Sequence, residues 1–400
     1  MTGAPDSVGA AAGAAAGPAV REVPERDRPQ LAALSAEAFG GPPDERWAAT
    51  LAHSTSFGAY DGDRVVSHAR VKPYRQWFGG REVPMGGVAS VAVTASHQRR
   101  GLAKATVAAT LPWMRANGFV VSTLFPATSG LYRALGWEHA GDYTWVDVPG
   151  AALRALGPAD GLRPATAADL PGMFAAYRRL CAETNGMLVR EGPFFDLRPE
   201  SVLGGLAVVA ERDGRIEGYA LGERRHAGHE VEVTAWDVVG TTAEAERAVW
   251  FALGAGASVV RTVRAKAFPD TLLLHLGEPA VTPREHLRWM LRVVDAPGAV
   301  AARGWPRGLA VRVDLRLDDP QVPENDGPWR LVLDAGDARL EPGGAGTVRL
   351  DAGAFAALYA SYADPRALRR AGRLACADEA ALDALAAATA GPSPRLLDYF

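Results

Sequence analysis

One segment in the first third of the sequence constrains the fold more than any other. The β-branched stretch from Val91 to Thr94 ends in a polar turn, and an alanine-rich stretch begins at Leu102. The turn carries the pattern Gln-x-x-Gly-x-Ala over 98–103. Glycine lets the backbone approach a ligand closely, and N–H groups at a helix start point toward negative charge. We therefore predict a strand, a phosphate-binding turn and a helix.

Backbone N–H groups and basic side chains of the turn are both expected to bind the anion. Basic side chains strengthen a phosphate site because their hydrogen bonds to anions are charge-assisted. The alternative is an ordinary strand, turn and helix with solvated arginines. The arrangement resembles the acetyl-CoA turn of the GNAT acyltransferases, which implies acetyl-CoA, or another short acyl-CoA, as co-substrate. The resemblance implies backbone contacts to pantetheine from Val91 and Val93, and residues near the diphosphate that comprise Gln98, Arg99, Arg100, Gly101, Leu102, Ala103 and Lys104.

A second signal follows at the spacing that GNAT enzymes show. The apolar stretch 119–125 predicts a strand, and the phrase Leu131–Trp137 contains Tyr-x-x-x-Gly-Trp. In GNAT enzymes a tyrosine in such a phrase lies beside the CoA sulfur, so the resemblance implies that role for Tyr132. The alternative is that Tyr132 packs at the end of a short helix.

Composition bounds the protein class and its partners. A chain of 400 residues with 48% hydrophobic residues is expected to form two or three domains. A net charge of −3 gives no general attraction to nucleic acid or anionic membranes, and no apolar run approaches the roughly 20 residues of a membrane span. Cys181 and Cys376 are far apart and form no metal or redox motif, which fits a cytoplasmic protein. We interpret both as buried packing residues.

The sequence divides into a tail and three units. Residues 1–18 are rich in alanine and glycine and are predicted to be a disordered tail rather than a signal peptide. Residues 19–148 carry the predicted CoA turn. Residues 160–295 repeat the same order of elements, but their strand-to-helix junction has Thr241 or Thr242 as a cap and two glutamates instead of the phosphate pattern. We predict a degenerate copy that binds no CoA; the alternative is an unrelated α+β domain. Residues 296–400 predict a small α+β layer.

The whole chain after the tail resembles the enhanced intracellular survival (Eis) family of acetyltransferases. Its specific marks are the turn at 97–102, the phrase Leu131–Trp137, the stretches 287–295 and 301–305, and the aromatic end Tyr399-Phe400. The resemblance implies an α+β fold class with tandem GNAT domains, the second degenerate, followed by a sterol-carrier-protein-like domain that delivers the C-terminus to the active site. It also implies a homo-oligomer, specifically a hexamer.

An amine attacks a thioester only as the free base, whereas an alkylamine has a pKa near about 10.4, so the site needs a base and an acid. The family resemblance implies that the α-carboxylate of Phe400 is the base and Tyr132 the acid. The alternative for Phe400 is packing alone. The resemblance also places Phe39 and Trp47 at an aromatic acceptor pocket, with core packing as the alternative.

The acceptor itself is less constrained. Aminoglycoside-acetylating members of the family have an acidic residue directly before the terminal phenylalanine, whereas this chain has Tyr399 there and Asp398 one position earlier. We therefore predict a small-molecule amine, an aminoglycoside or another antibiotic or biosynthetic amine. Tyr399 is expected to contact this acceptor and to favour one that is less charged or more aromatic. Protein lysine acetylation and a non-catalytic CoA- or lipid-binding scaffold are the alternatives. His226 and His229 lack a third ligand at a usual spacing, so we expect no metal.

Overall fold

The computed structural model of the protein describes residues 19–256 and 259–400, so the predicted tail over 1–18 lies outside the described residues. Within the described residues, twelve strands form one mixed sheet. These strands are β1 (Ala19–Glu22), β2 (Thr55–Asp61), β3 (Arg64–Phe78), β4 (Arg81–Val93), β5 (Val121–Leu124), β6 (Glu138–Pro149), β7 (Leu162–Pro164), β8 (Leu206–Arg212), β9 (Arg215–Ala227), β10 (Glu230–Gly240), β11 (Thr262–Lys266) and β12 (Thr282–Val293).

The order of these strands shows that two similar halves are interlocked. The order is β1-β2-β3-β4-β5-β12-β6-β11-β10-β9-β8-β7. We call β1–β5 the first sheet half and β7–β11 the second sheet half. The late strand β12 pairs with β5, while the earlier strand β6 pairs with β11. The first sheet half is therefore extended by β12, which follows the second half in the sequence. The second sheet half is extended by β6, which precedes it, and pairing of β12 with β6 joins the halves into one continuous sheet.

Helices cover this sheet and bury its apolar residues. They are α1 (Arg28–Phe39), α2 (Glu45–Leu51), α3 (Leu102–Ala116), α4 (Ser129–Arg133), α5 (Gly150–Arg154), α6 (Leu170–Ala182), α7 (Pro199–Val202), α8 (Ala243–Gly254) and α9 (Pro269–Leu273). Leu111 and Met114 of α3 pack against Val71 and Val88 of the first sheet half. In the second half, Trp250 of α8 belongs to the buried cluster around β10 and β11. In each sheet half, a helix therefore packs its apolar face against the strands.

The last hundred residues form a separate layer that packs against the large sheet. A second sheet has the order β15-β14-β13-β16-β17. Its strands are β13 (Ala310–Asp318), β14 (Gly327–Asp334), β15 (Asp337–Pro342), β16 (Val348–Asp351) and β17 (Leu374–Ala375), and its helices are α10 (Ala296–Ala302), α11 (Ala352–Tyr359), α12 (Pro365–Arg370) and α13 (Glu379–Thr389). Helix α11 is buried along its whole length, and one hydrophobic cluster joins it to Trp289 of β12. This layer is therefore firmly attached to the sheet that carries the site.

Candidate active site

The site begins where β4 and β5 separate. These parallel strands pair only over Met85–Gly87 and Val121–Thr123, although β4 continues for six more residues to Val93. The pairing of β4 with β3 has a register shift next to Ser90, whose φ is 53°. These features form a bulge in the part of β4 that does not pair with β5. Bulges bend a strand and redirect its backbone groups. The backbone of β4 from 88 to 93 therefore borders an open gap on the side of β5.

The turn after β4 leaves the start of α3 open for a ligand. Arg99 and Gly101 have φ values of 62° and 76°, and no side chain caps the helix at Leu102. A Cβ at Gly101 would meet no atom within 4 Å, so the turn leaves free space beside the backbone. The first N–H groups of an uncapped helix need an acceptor, and phosphate oxygens are suitable ones. These observations fit the diphosphate of a coenzyme A.

A cavity of about 630 Å³ lies against this turn. The predicted residues that line it are Phe39, Val91, Val93, Gln98, Arg99, Gly101, Leu102, Ala103 and Lys104. Arg100 is not on this wall, because its guanidinium donates to the carbonyl of Ser96 over 3.1 Å. The structure thus brings the predicted turn residues together, except that the Arg100 side chain points to its own turn.

A second cavity of about 680 Å³ adjoins the first one and shares Phe39 and Val91 with it. Its wall includes the predicted residues Trp47, Tyr132, Tyr399 and Phe400. The Trp47 indole N–H donates to the Ser90 hydroxyl over 3.3 Å, which fixes this ring beside the β4 bulge. The candidate acid, the candidate base and the aromatic residues therefore surround one space that continues into the cavity at the turn.

Tyr132 lies in α4 and is buried. Its ring packs edge-on against Trp137 with 6.4 Å between the ring centroids. Burial raises the pKa of Tyr132 to about 12, because an ionised phenolate is poorly solvated there. The phenol consequently stays protonated over the physiological pH range, as a proton donor must.

The final residues of the sequence are fixed by backbone hydrogen bonds. The N–H of Arg395 donates to the Asn185 carbonyl over 2.8 Å, and the N–H of Leu396 donates to the Asp142 carbonyl over 2.9 Å. Leu396 and Leu397 are buried. The apolar character of this segment thus reflects a place in the core.

Asp398 points away from the second cavity and anchors the segment instead. Its carboxylate pairs with the Arg190 guanidinium at 3.1 Å, and the same guanidinium pairs with the buried Asp237 of β10. The Lys266 ammonium at the end of β11 donates to the Leu397 carbonyl over 3.1 Å. The acidic residue near the end of the chain therefore serves attachment to the second sheet half.

Phe400 reaches the point where β4 and β5 diverge. Its ring centroid lies 5.1 Å from that of Tyr74 and 5.6 Å from that of Phe125. A Cβ at Gly87 would come within 2.8 Å of the Phe400 ring, so glycine is needed for this close approach. Tyr399 stacks on Phe125 with 4.5 Å between centroids and is 61% exposed toward the cavity mouth.

Other acids and bases near the site already have side-chain partners. The His97 imidazole contacts Asp61 at 3.1 Å. Glu138 pairs with Arg133 at 2.6 Å and with Arg373 at 2.8 Å. Burial acts to raise the pKa of Glu138, but hydrogen bonds from both arginines hold it below its usual value. These groups are poorly placed to accept a proton from an acceptor amine.

Several polar residues at the second cavity were not predicted from the sequence. Lys72 and His139 line it, and Arg70 lies beside it on the same face of β3 as Lys72. Burial, reinforced by Arg70, lowers the pKa of Lys72 to about 8. Burial also lowers the pKa of His139, whose Nε2 lies 3.2 Å from the Ser129 hydroxyl. The sequence signal that could have revealed them is the pair of basic residues Arg70 and Lys72 at alternate positions of a largely apolar strand.

Comparison with known proteins agrees with this arrangement. Models described as an acetyltransferase (GNAT) domain match residues 19–140 and 186–293, and a sterol carrier protein domain matches 296–396. An uncharacterized N-acetyltransferase of Streptomyces avermitilis is 30% identical over 325 residues, which cover 74% of this chain and 78% of that protein. The N-acetyltransferase Eis of Mycobacterium tuberculosis is 28% identical over 357 residues, with 84% and 86% covered.

A solved structure extends the comparison to nearly the whole chain. The GCN5-related N-acetyltransferase from Kribbella flavida superposes with a TM-score of 0.82 at 31% identity, covering 96% of this chain and 99% of that chain. The tandem domains and the site define an enzyme of the GNAT acyltransferase class, for which acetyl-CoA is the implied co-substrate. Within that class, the chain belongs to the Eis-like N-acetyltransferases, with two GNAT domains followed by a sterol-carrier-like domain.

Two further properties concern membranes and metals. In the part of the chain that the structure describes, no helix combines the length and the apolar character needed to cross a bilayer. Over 19–256 and 259–400, the side chains of His, Cys, Asp and Glu form no group of three that could hold a metal ion.

Proposed function

We propose that this enzyme transfers an acetyl group from acetyl-CoA directly to a small-molecule amine. The observation that supports this proposal is the continuity of two cavities: one lies on the uncapped turn, and the other contains Tyr132 and Phe400. Acetyl-CoA supplies the acyl thioester. The turn residues hold phosphate, and the unpaired backbone of β4 offers hydrogen bonds along the gap. Holding both reactants in one connected space makes the reaction effectively unimolecular.

The proton has a donor and an acceptor on this chain. The α-carboxylate of Phe400, the last residue of the sequence, accepts the proton from the amine. Tyr132 donates a proton to the departing sulfur, which its protonated phenol can do. Glu138 and Asp398 are engaged in ion pairs, and the His97 imidazole contacts Asp61. The competing base is His139, which lines the same cavity.

No covalent acyl-enzyme step is included in this proposal. Burial raises the pKa of the Cys181 thiol, so it does not form a nucleophilic thiolate. The Cys376 thiol donates to the Asp378 carbonyl over 3.2 Å. Neither cysteine is on the wall of either cavity. Cys181 is buried, as predicted, whereas Cys376 is only partly buried and the prediction of burial is wrong for it.

Finer features of this proposal come from the sequence and the family resemblance. We place the catalytic unit at 19–148, the degenerate unit at 160–295 and the delivering domain at 296–400. A hexamer in the cytoplasm is part of the same proposal. The aminoglycoside class is disfavoured by Tyr399, since the side chain of Asp398 is directed to Arg190.

The decisive experiment uses acetyl-CoA labelled in its acetyl group. The enzyme is incubated with a panel of small amines and, separately, with a lysate of intact proteins. Labelled small amines, together with intersecting double-reciprocal plots, support direct transfer to a small acceptor. Labelled proteins alone would favour lysine acetylation. Parallel plots or a trapped acyl-enzyme would contradict direct transfer, and no heat of CoA binding in calorimetry would leave only a scaffold role.

A further inference from the structure

A small chamber opens from the acceptor cavity and has an unusual charge. Its volume is about 260 Å³, and it shares Trp47, Lys72 and Phe400 with the larger cavity. Its cationic residues are Arg46, Arg70 and Lys72, whereas its anionic groups are the Asp44 side chain and the proposed α-carboxylate of Phe400. Asp44 caps α2 by accepting the N–H of Trp47 over 2.7 Å. The chamber therefore carries an excess of positive charge.

Arg70 makes this excess significant because it is completely buried without an ionic partner. Its Nε donates to the Ser54 hydroxyl over 2.5 Å, and one Nη donates to the Trp47 carbonyl over 3.4 Å. Its other terminal nitrogen is buried and has no hydrogen-bond partner among the described residues. Burying a charge is costly unless it is paired. Binding of an anion in this chamber would supply the missing ionic partner and hydrogen-bond acceptor for Arg70.

Lys72 and Arg46 are two further cationic residues of the chamber. In the described part of the chain, neither of them pairs with a carboxylate; Arg46 donates to the Phe194 carbonyl over 2.6 Å. Lys72 lies two residues from Arg70 on one face of β3 and reaches the larger cavity. Arg288 and His286 also line that cavity, and the Asp142 carboxylate lies 3.8 Å from the Arg288 guanidinium and 3.2 Å from the His286 imidazole.

We propose that the natural acceptor is an amine that also carries an anionic group, a carboxylate or a phosphate, bound by Arg70 and Lys72. The aromatic rings of Trp47, Tyr74 and Phe194 border the same chamber and suit a flat apolar body between the two ends. This inference rests on the proposed acetylation of a small amine. It excludes polycations as preferred acceptors, because they would meet like charges in a buried space.

Acceptor pairs that differ only in the acid test the inference. The pairs are 4-(aminomethyl)benzoate with benzylamine, L-phenylalanine with phenylethylamine, and O-phosphoethanolamine with ethanolamine. With wild-type enzyme, we expect kcat/KM to favour an acidic member by about 10- to 100-fold, the range for a hydrogen-bonded charge. The third pair separates phosphate from carboxylate recognition. In Lys72→Met the preference should fall about tenfold, because Arg70 remains, whereas the remote, exposed control Arg312→Met should retain the full preference.

A second measurement does not depend on the skeleton of the acceptor. Benzoate should compete with whichever amine the enzyme acetylates, benzyl alcohol should not, and Lys72→Met should weaken the benzoate inhibition constant about tenfold. Faster acetylation of the uncharged members or of kanamycin, or benzoate inhibition that Lys72→Met leaves unchanged, would overturn the anionic acceptor while leaving N-acetylation intact. Failure with every amine, despite CoA binding, would overturn the proposed function and this inference with it.

Discussion

Each of the two sheet halves has a strand that leads into a helix, yet the two strand-to-helix junctions differ in capping and in charge. In the first half, Gly101 precedes α3 without a side-chain cap, and Lys104 lines the adjacent cavity. In the second half, the Thr242 hydroxyl accepts the Ala245 N–H over 3.2 Å, and Glu244 stands in the first turn of α8. A helix start that is already capped has less need of an external anion. The same fold thus leaves the helix start uncapped at one junction and capped at the other.

The strand gaps differ in the same way. Strands β10 and β11 pair only over Val233–Ala235 and Val263–Ala265, so β10 also continues beyond its parallel neighbour. Next to this gap lies the C-terminal segment, with the Arg395 guanidinium 4.9 Å from the Phe268 ring centroid. In the first half the gap opens onto the two cavities, whereas in the second half the C-terminal segment that ends at Phe400 lies beside the gap.

The largest expected effect concerns the chemistry of the first half. Tyr132→Phe keeps the ring but removes the proton donor, so we expect turnover to fall by about 10²–10⁴-fold. Calorimetry should find CoA affinity nearly unchanged. Tyr60→Phe is the control, because this tyrosine donates to Asp27 away from the cavities. Wild-type turnover in Tyr132→Phe would remove this residue from the mechanism.

The sequence predicted the first junction well because its signals are local. The glycine, the β-branched strand before it and the helix formers after it lie within 15 residues, and the structure starts α3 at Leu102. The Thr242 cap in the second half was predicted for the same reason, with Thr241 as the alternative. Local backbone preferences and capping act over a few residues, so one sequence can reveal them.

Long-range features were beyond such reasoning. The insertion of β12 between β5 and β6 depends on pairing over more than a hundred residues. The cationic chamber combines Arg46 of α2 with Arg70 and Lys72 of β3, and nothing local shows that Arg70 lacks an acid. The pairing of Asp398 with Arg190 likewise joins distant segments. Pairwise contacts of this kind are set by tertiary packing.

The anchoring of the C-terminal segment gives the next prediction. Arg190→Met leaves Asp237 buried without its partner, so we expect the free energy of unfolding to fall by about 3–5 kcal/mol. Turnover should fall as well, since Asp398 is released, while CoA affinity of the folded fraction stays the same. Arg163→Met also removes an arginine from two carboxylates, but at an exposed site, and should cost far less stability. Equal losses in urea titrations of the two variants would refute the anchoring role.

A charge exchange compares the two junctions directly. Lys104→Glu should weaken CoA binding about tenfold, because it replaces attraction to phosphate with repulsion. Glu244→Lys makes the second junction more basic but leaves its cap in place, so calorimetry should still find one CoA site with wild-type affinity. A second CoA site in Glu244→Lys would show that charge alone separates the halves.

The smallest effect concerns the cap of the second half. Thr242→Ala removes the acceptor for the Ala245 N–H and should lower the free energy of unfolding by about 1 kcal/mol. CoA affinity should not change. Denaturant unfolding that shows no loss of stability would mean that water replaces the cap and that the closed junction is not a structural necessity.

The central claim is that the second sheet half holds the C-terminal segment so that the Phe400 carboxylate meets the amine. Adding Gly-Ser after Phe400 moves the charge but keeps the ring, whereas the same dipeptide added at the N-terminus is the control. Acetyl transfer should fall by about 10²–10⁴-fold in the C-terminally extended protein, with an unchanged circular dichroism spectrum and unchanged CoA affinity. Transfer at the unextended rate would contradict the account, and loss of activity in His139→Gln would then identify His139 as the base.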